Sequence, residues 1–164
     1  MTSADRAPDQ GDADLVSLCL VHQARVDVAR VPERFEVAQL AWLGRPLPDE
    51  ADGTHRFACD LELPAGVLGP LRLRKAAIVG LRPPLREGEG WLVPIEWHAA
   101  TFSPLFPVFL GCLQLEPERL VLTGRYAPPG GRLGMAADAV FARAAARSVA
   151  RWFLERMAAA VAPA

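Results

Sequence analysis

Residues 133–161 read LGMAADAVFARAAARSVARWFLERMAAAV, a stretch free of proline and dense in alanine. Leu133, Ala137, Val140, Phe141, Ala144, Ala145, Val149, Trp152, Phe153 and Met157 recur at three- and four-residue steps, the period of one helix face. Alanine, leucine and arginine also favour the helix intrinsically. Arg143, Arg147, Arg151 and Glu155 follow at four-residue spacing on the opposite face, where Arg151 and Glu155 are placed to pair. That stripe reads as a solvated face or as a surface for an acidic partner or lipid head groups. At 1.5 Å of rise per residue the helix is about 40 Å long, so any sheet that buries its apolar face against it must curve around it.

Working back from the helix, the chain offers such a sheet. Leu15 to Val28 reads as a first strand, with Leu18, Leu20, Ala24, Val26 and Val28 at even positions. Pro32 suits the first turn of a short helix that Gly44 and Pro46 stop. His55 to Leu63, Leu71 to Leu81 and Trp91 to Ala99 each alternate apolar and polar residues with period two. Pro94 within the last of these predicts an edge strand or a bulge. Phe106 to Leu115 and Arg119 to Tyr126 add two apolar strands joined by Glu116-Pro117-Glu118, a hairpin-length turn. The order predicts an α+β domain, a curved antiparallel sheet of six or seven strands wrapped around the C-terminal helix. Residues 1–13 lack hydrophobic periodicity and read as a disordered tail, leaving 14–162 as the domain.

The composition narrows the function classes. With 51% hydrophobic and 23% charged residues, the 164-residue chain suits one packed domain and not a disordered one. A net charge of −1 gives no general attraction to nucleic acid or to an anionic membrane. The three cysteines, Cys19, Cys59 and Cys112, form no CxxC pair and have no zinc-type spacing with histidine, so neither a metal nor a cofactor is expected. Their odd number, and an acidic polar opening from Met1 to Asp14 in place of a signal peptide, lead to the expectation of a cytoplasmic protein. No apolar run approaches the roughly 20 residues of a membrane span.

Few residues carry chemistry. Glu96 and His98 share one strand face and read either as an acid/base couple or as a solvent-facing pair opposite Trp91, Val93, Ile95 and Trp97. His55 reads as a surface residue and His22 as a core histidine beside Leu18 and Leu20. Tyr126, the single tyrosine, either orients a ligand's polar group or caps the mouth of a cavity. Lys75 interrupts an apolar strand face, where it can meet a ligand carboxylate or reach out to solvent. Trp91, Trp97, Phe106, Phe109, Phe141, Trp152 and Phe153 line either a pocket or a solid core, with Ala145 among the small helix residues that leave room opposite them. Gly130-Gly131-Arg132-Leu133-Gly134 lacks the ending of a phosphate loop and reads as a turn before the helix.

The run Phe106-Pro107-Val108-Phe109-Leu110-Gly111, then Leu120-Val121-Leu122-Thr123-Gly124-Arg125-Tyr126, Pro128 to Gly134 and Asp138, resembles the last two strands and terminal-helix opening of the START-like or SRPBCC superfamily. Val26 to Phe35 is similar to that family's first strand entering its first helix, although Ala29-Arg30-Val31 stands where a charged run is usual. The resemblance covers about residues 15–162 and implies a helix-grip fold with an apolar cavity, as in Bet v 1-type, polyketide-cyclase and lipid-transfer relatives. It implies binding or transport of a small hydrophobic molecule, lipid, polyketide or isoprenoid-like, by a monomer or homodimer. The alternatives are a cyclase/aromatase or dehydratase-like enzyme using His98, Glu96 or Tyr126, and a protein-interaction module.

Overall fold

The computed structural model describes residues 15–63, 73–100, 108–127 and 138–163. Within them the chain forms strands β1 (Val16–Gln23), β2 (Arg45–Leu47), β3 (His55–Leu63), β4 (Leu73–Leu81), β5 (Leu85–Glu87), β6 (Gly90–Ala99), β7 (Val108–Glu116) and β8 (Arg119–Ala127), a helical turn α1 (Val31–Arg34) and the helix α2 (Asp138–Val161). The strands make one antiparallel, curved, eight-stranded sheet in the order β1-β8-β7-β6-β4-β3-β2, with β5 paired to β6. The architecture is α+β, and α2 packs on one face of the sheet against β1, β3 and β8.

The period-two patterns place the sheet's inner face. Phe57 and Cys59 on β3, Ala77, Val79 and Leu81 on β4, Val93, Ile95 and Trp97 on β6, Phe109, Leu113 and Leu115 on β7, and Leu120, Leu122 and Tyr126 on β8 are all buried. From α2, Ala146, Val149, Ala150, Phe153, Leu154, Met157, Ala158 and Val161 close over them, at the three- and four-residue steps of one helix face.

Several expectations need correction. The sheet has eight strands, not six or seven, because Arg45–Leu47 and Leu85–Glu87 are three-residue strands set among turns, too short to show any alternation. The first strand's ladder ends at Gln23; beyond it the amides of Ala24, Val26 and Asp27 bond the carbonyls of Glu118, Pro117 and Val161. The helix expected after Pro32 is a single turn, Val31–Arg34, followed by a 3-10 turn, Ala41–Leu43. Gly44 ends that turn at φ +148, where a side chain would run into the backbone of Ala58. Ala144 is exposed, since it stands about 200° around the helix from the buried Ala146. Arg143, Arg147, Arg151 and Glu155 are all exposed, and Arg151 and Glu155 form no ion pair among the described residues.

Pro94 lies neither at an edge nor in a bulge but in β6, between β4 and β7. Its carbonyl accepts from the Arg82 amide at 3.0 Å, so its missing N–H faces the same side. There the β4 ladder has stopped at the Leu81–Ile95 pair and the β5 ladder begins only at Leu92. The proline falls in the gap between two neighbours, a local edge inside a central strand.

Candidate functional site: the inner face beneath the terminal helix

The inner face carries a row of large side chains set by register. Phe57 pairs with Val79, Val79 with Trp97, Trp97 with Phe109, Phe109 with Tyr126, and Tyr126 with Val16. Partners in register project to the same side of a sheet, so the aromatics cross the sheet side by side. Trp97 and Phe109 stack with centroids 4.0 Å apart and planes 13° from parallel. Phe153 of α2 meets Trp97 at 6.2 Å and Trp42 of the 3-10 turn at 6.3 Å, both tilted. Phe109 lies over the paired glycines Gly111 and Gly124, whose added Cβ atoms would meet its Cζ at 2.7 and 2.5 Å. Two glycines at one cross-strand pair thus make the bed for an aromatic ring.

Next to this row stands a row of small side chains, Cys59, Ala77 and Ala99, paired in register. This row lies on the side of the aromatic row away from the sheet end where the Asp27 amide bonds the Val161 carbonyl. Cys59 donates its thiol to the Ala77 carbonyl at 3.6 Å, and burial pushes its pKa up to about 11 from 9.0. Unfolding frees that thiol to ionise near 9, so its contribution to stability is intact below pH 9 and declines as pH rises toward 11. The stability gap between the native chain and Cys59→Ala, measured by urea unfolding, is expected to narrow by on the order of 2 kcal/mol between pH 8 and 11. A gap independent of pH would mean that the thiol ionises as readily folded as unfolded.

The polar atoms of the inner face are few. Thr54, the only polar residue buried among the described ones, stands on the outer side, against Gly80 and beside Glu96. Trp91, half-buried, donates its indole N–H to the Val28 carbonyl at 2.7 Å and receives Arg86 over its ring at 5.1 Å. Trp97, 1% exposed, has a buried indole N–H with no hydrogen-bond partner, and the indole N–H of Trp42 is likewise buried and unpartnered.

The structure separates the expected acid/base groups. Tyr126 is on the inner face and only 2% exposed, so it is a core residue and not a wet cap at a cavity mouth. Glu96 and His98 alternate with the buried Ile95 and Trp97 and stand half-buried on the outer face. No hydrogen bond joins these two among the described residues. Glu96 instead lies over Gly80, in a shallow groove of about 140 Å³ that it shares with Thr54, Arg82, Pro94 and Leu110. Beside that groove the hydroxyl and amide of Thr54 both donate to Asp52, at 2.7 and 3.0 Å, and lower its pKa. His22 is half-buried and paired with Leu120, and His55 sets Nδ1 3.1 Å from a carboxylate oxygen of Asp49.

Of the expected cavity residues, Trp97, Phe109 and Tyr126 form one continuous row, while Trp91 and Trp152 are half-buried and pack against the core. Trp152 carries Arg156 over its ring at 5.8 Å. Lys75 pairs in register with Leu61, and Phe141 and Ala145 belong to α2; the side chains of these three lie outside the described residues, as do the expected tail at 1–13 and the glycine-rich turn at 130–134. Phe153 was among the aromatics expected there, Phe106 lies outside the described residues, and Trp42, Phe57 and the Gly111–Gly124 bed belong to the site without having been expected from sequence. Phe57 was visible only as one member of an alternating strand, and Trp42 sits in a turn with no period to assign it a face. Among the described residues, no cluster of histidine, cysteine and acidic side chains is suited to a metal, and no helix is long and apolar enough to cross a membrane.

Compared with known proteins, the chain matches no family model, no curated protein and no solved structure.

Proposed function

We propose that the chain binds a small hydrophobic molecule between the inner face of the sheet and α2, as a helix-grip protein of START-like type. The observation that carries this reading is the strand order, β1-β8-β7-β6-β4-β3-β2, with one long terminal helix lying on the inner face of a curved sheet. That order sets the first strand beside the last, and α2 covers the apolar face of the sheet. The small row Cys59, Ala77 and Ala99, beside a floor of aromatic rings, fits an apolar guest of lipid, polyketide or isoprenoid type. A cyclase-like reading is less well supported, because Tyr126 and the Glu96–His98 pair stand on opposite faces of the sheet and cannot touch one substrate together.

Native mass spectrometry of the chain purified from its own host, followed by denaturing extraction, tests the proposal. A stoichiometric hydrophobic molecule leaving with the denatured protein is the expected result. Repeated clean apo masses, with no uptake of added hydrophobic probes, would sink it. A second reading rests on the outer face, where Val21, Val108 and Leu110 are exposed at 53%, 46% and 58%. Apolar side chains standing in water on β1 and β7, the two strands that flank β8, suit a protein-binding surface, and this reading gains if no small molecule is found.

A further inference from the structure

The two buried indole donors around Phe153 define what the guest must carry. Buried N–H groups in folded proteins nearly always have a partner, and one without a partner calls for an explanation. Trp97 is 1% exposed and has none, although Trp91 on the same strand is fully satisfied by the Val28 carbonyl. Trp42 repeats the situation on the other side of the same phenylalanine, its ring 6.3 Å from Phe153 as that of Trp97 is 6.2 Å away. The near-parallel stack with Phe109 rules out that ring's face as an acceptor for the Trp97 N–H, since an indole N–H lies in its own ring plane. Building on the proposed binding of a hydrophobic molecule, we infer that the guest is a neutral molecule bearing an acceptor oxygen of the carbonyl type, received by the indole N–H of Trp97 with that of Trp42 as a second donor.

The chemistry favours a carbonyl over a carboxylate or an alcohol. The two indoles are uncharged donors, so a carboxylate held by them alone would lose its hydration without gaining a counter-charge. An indole N–H only donates, so a hydroxyl guest would satisfy the tryptophans and leave its own proton without a partner there. The Cys59 thiol donates to the Ala77 carbonyl and offers only a weak sulfur acceptor in exchange.

The test uses the full-length chain and two matched pairs of probes that exchange C=O for C=CH2 at constant shape: 2-acetylnaphthalene with 2-isopropenylnaphthalene, and 2-nonanone with 2-methyl-1-nonene. In the unaltered protein the Trp97 indole proton, followed in nitrogen-proton correlation spectra, is expected to move downfield with a ketone and to stay in place with its methylene isostere. In Trp97→Phe, which keeps a ring and deletes the N–H, the ratio of ketone to isostere affinity is expected to fall about tenfold while the isostere still binds. Binding of both members of a pair with an unmoved indole proton and an unchanged ratio would overturn the inference and leave hydrophobic binding intact. So would an indole proton already shifted upfield against a ring face and insensitive to the ketone. If no probe from either pair binds, the hydrophobic-binding proposal fails and this inference falls with it.

Discussion

Replacing Phe109 by alanine is expected to cost about 3–5 kcal/mol of stability, the range for deleting a fully buried aromatic ring. The ring is wholly buried, stacks on Trp97 at 4.0 Å and covers the Gly111–Gly124 pair. Its loss would therefore remove three things together: apolar burial, an aromatic contact worth about 1 kcal/mol beyond its area, and the cover over two side-chain-free residues. Urea unfolding of the purified variant measures the effect. Phe109→Leu is expected to recover part of it by restoring apolar volume without a flat ring to lie over the glycines. A loss below 1 kcal/mol for the alanine variant would show that the aromatic row is not rigidly packed.

The second large effect has the opposite sign from the one that strand preference suggests. Valine is favoured in strands over glycine by up to about 1 kcal/mol, yet Gly124→Val is expected to destabilise by about 3 kcal/mol, the upper end of what overpacking does. A Cβ at Gly124 would stand 2.5 Å from the Leu110 carbonyl oxygen, 2.5 Å from Phe109 Cζ and 2.7 Å from the Gly111 Cα. Two of those atoms are backbone and cannot swing away, so β7 and β8 would have to part at their closest approach. Ala76→Val, at an exposed strand position on β4, is the control and is expected to be near neutral. Equal effects at the two positions, compared by the same unfolding measurement, would contradict the close approach.

Alternation carried most of the fold. Phe57, Cys59, Val79, Ile95 and Trp97 fall on the apolar side of a period of two, and each is buried. The same period correctly set Glu96 and His98 on the face away from the core. Residues in strands of three, such as Pro46 and Arg86, gave no such signal, because a period needs several repeats before it rises above composition. Pro94 misled because a proline's tolerance depends on the side to which its missing donor points, and on where neighbouring ladders end. Neither is written in β6 itself. Ala144 misled because alanine is apolar enough for a core and small enough for a surface, so only the position of Ala146 and Ala150 fixes the stripe.

The candidate site was less legible. Aromatic content marked Trp97 and Phe109, and the register of three strands was required to show that they form one row with Tyr126. The state of an indole N–H is decided by what happens to approach it, as the contrast between Trp91 and Trp97 shows. Sequence reveals the donor and never its partner.

The pairing of β1 with β8 bears on how the chain comes off the ribosome. Val16 meets Tyr126, more than a hundred positions later, and the partners of Leu18 and Leu20 are equally remote. The hairpins β3–β4 and β7–β8 can assemble from local sequence as it emerges, whereas the first strand must wait, with Leu18 and Leu20 uncovered, until the last strand has been synthesised. Contacts of such long range slow folding and prolong the exposure of apolar segments. The first strand of the sheet is thus among the last to find its place, and that interval is when a nascent chain has most need of a chaperone.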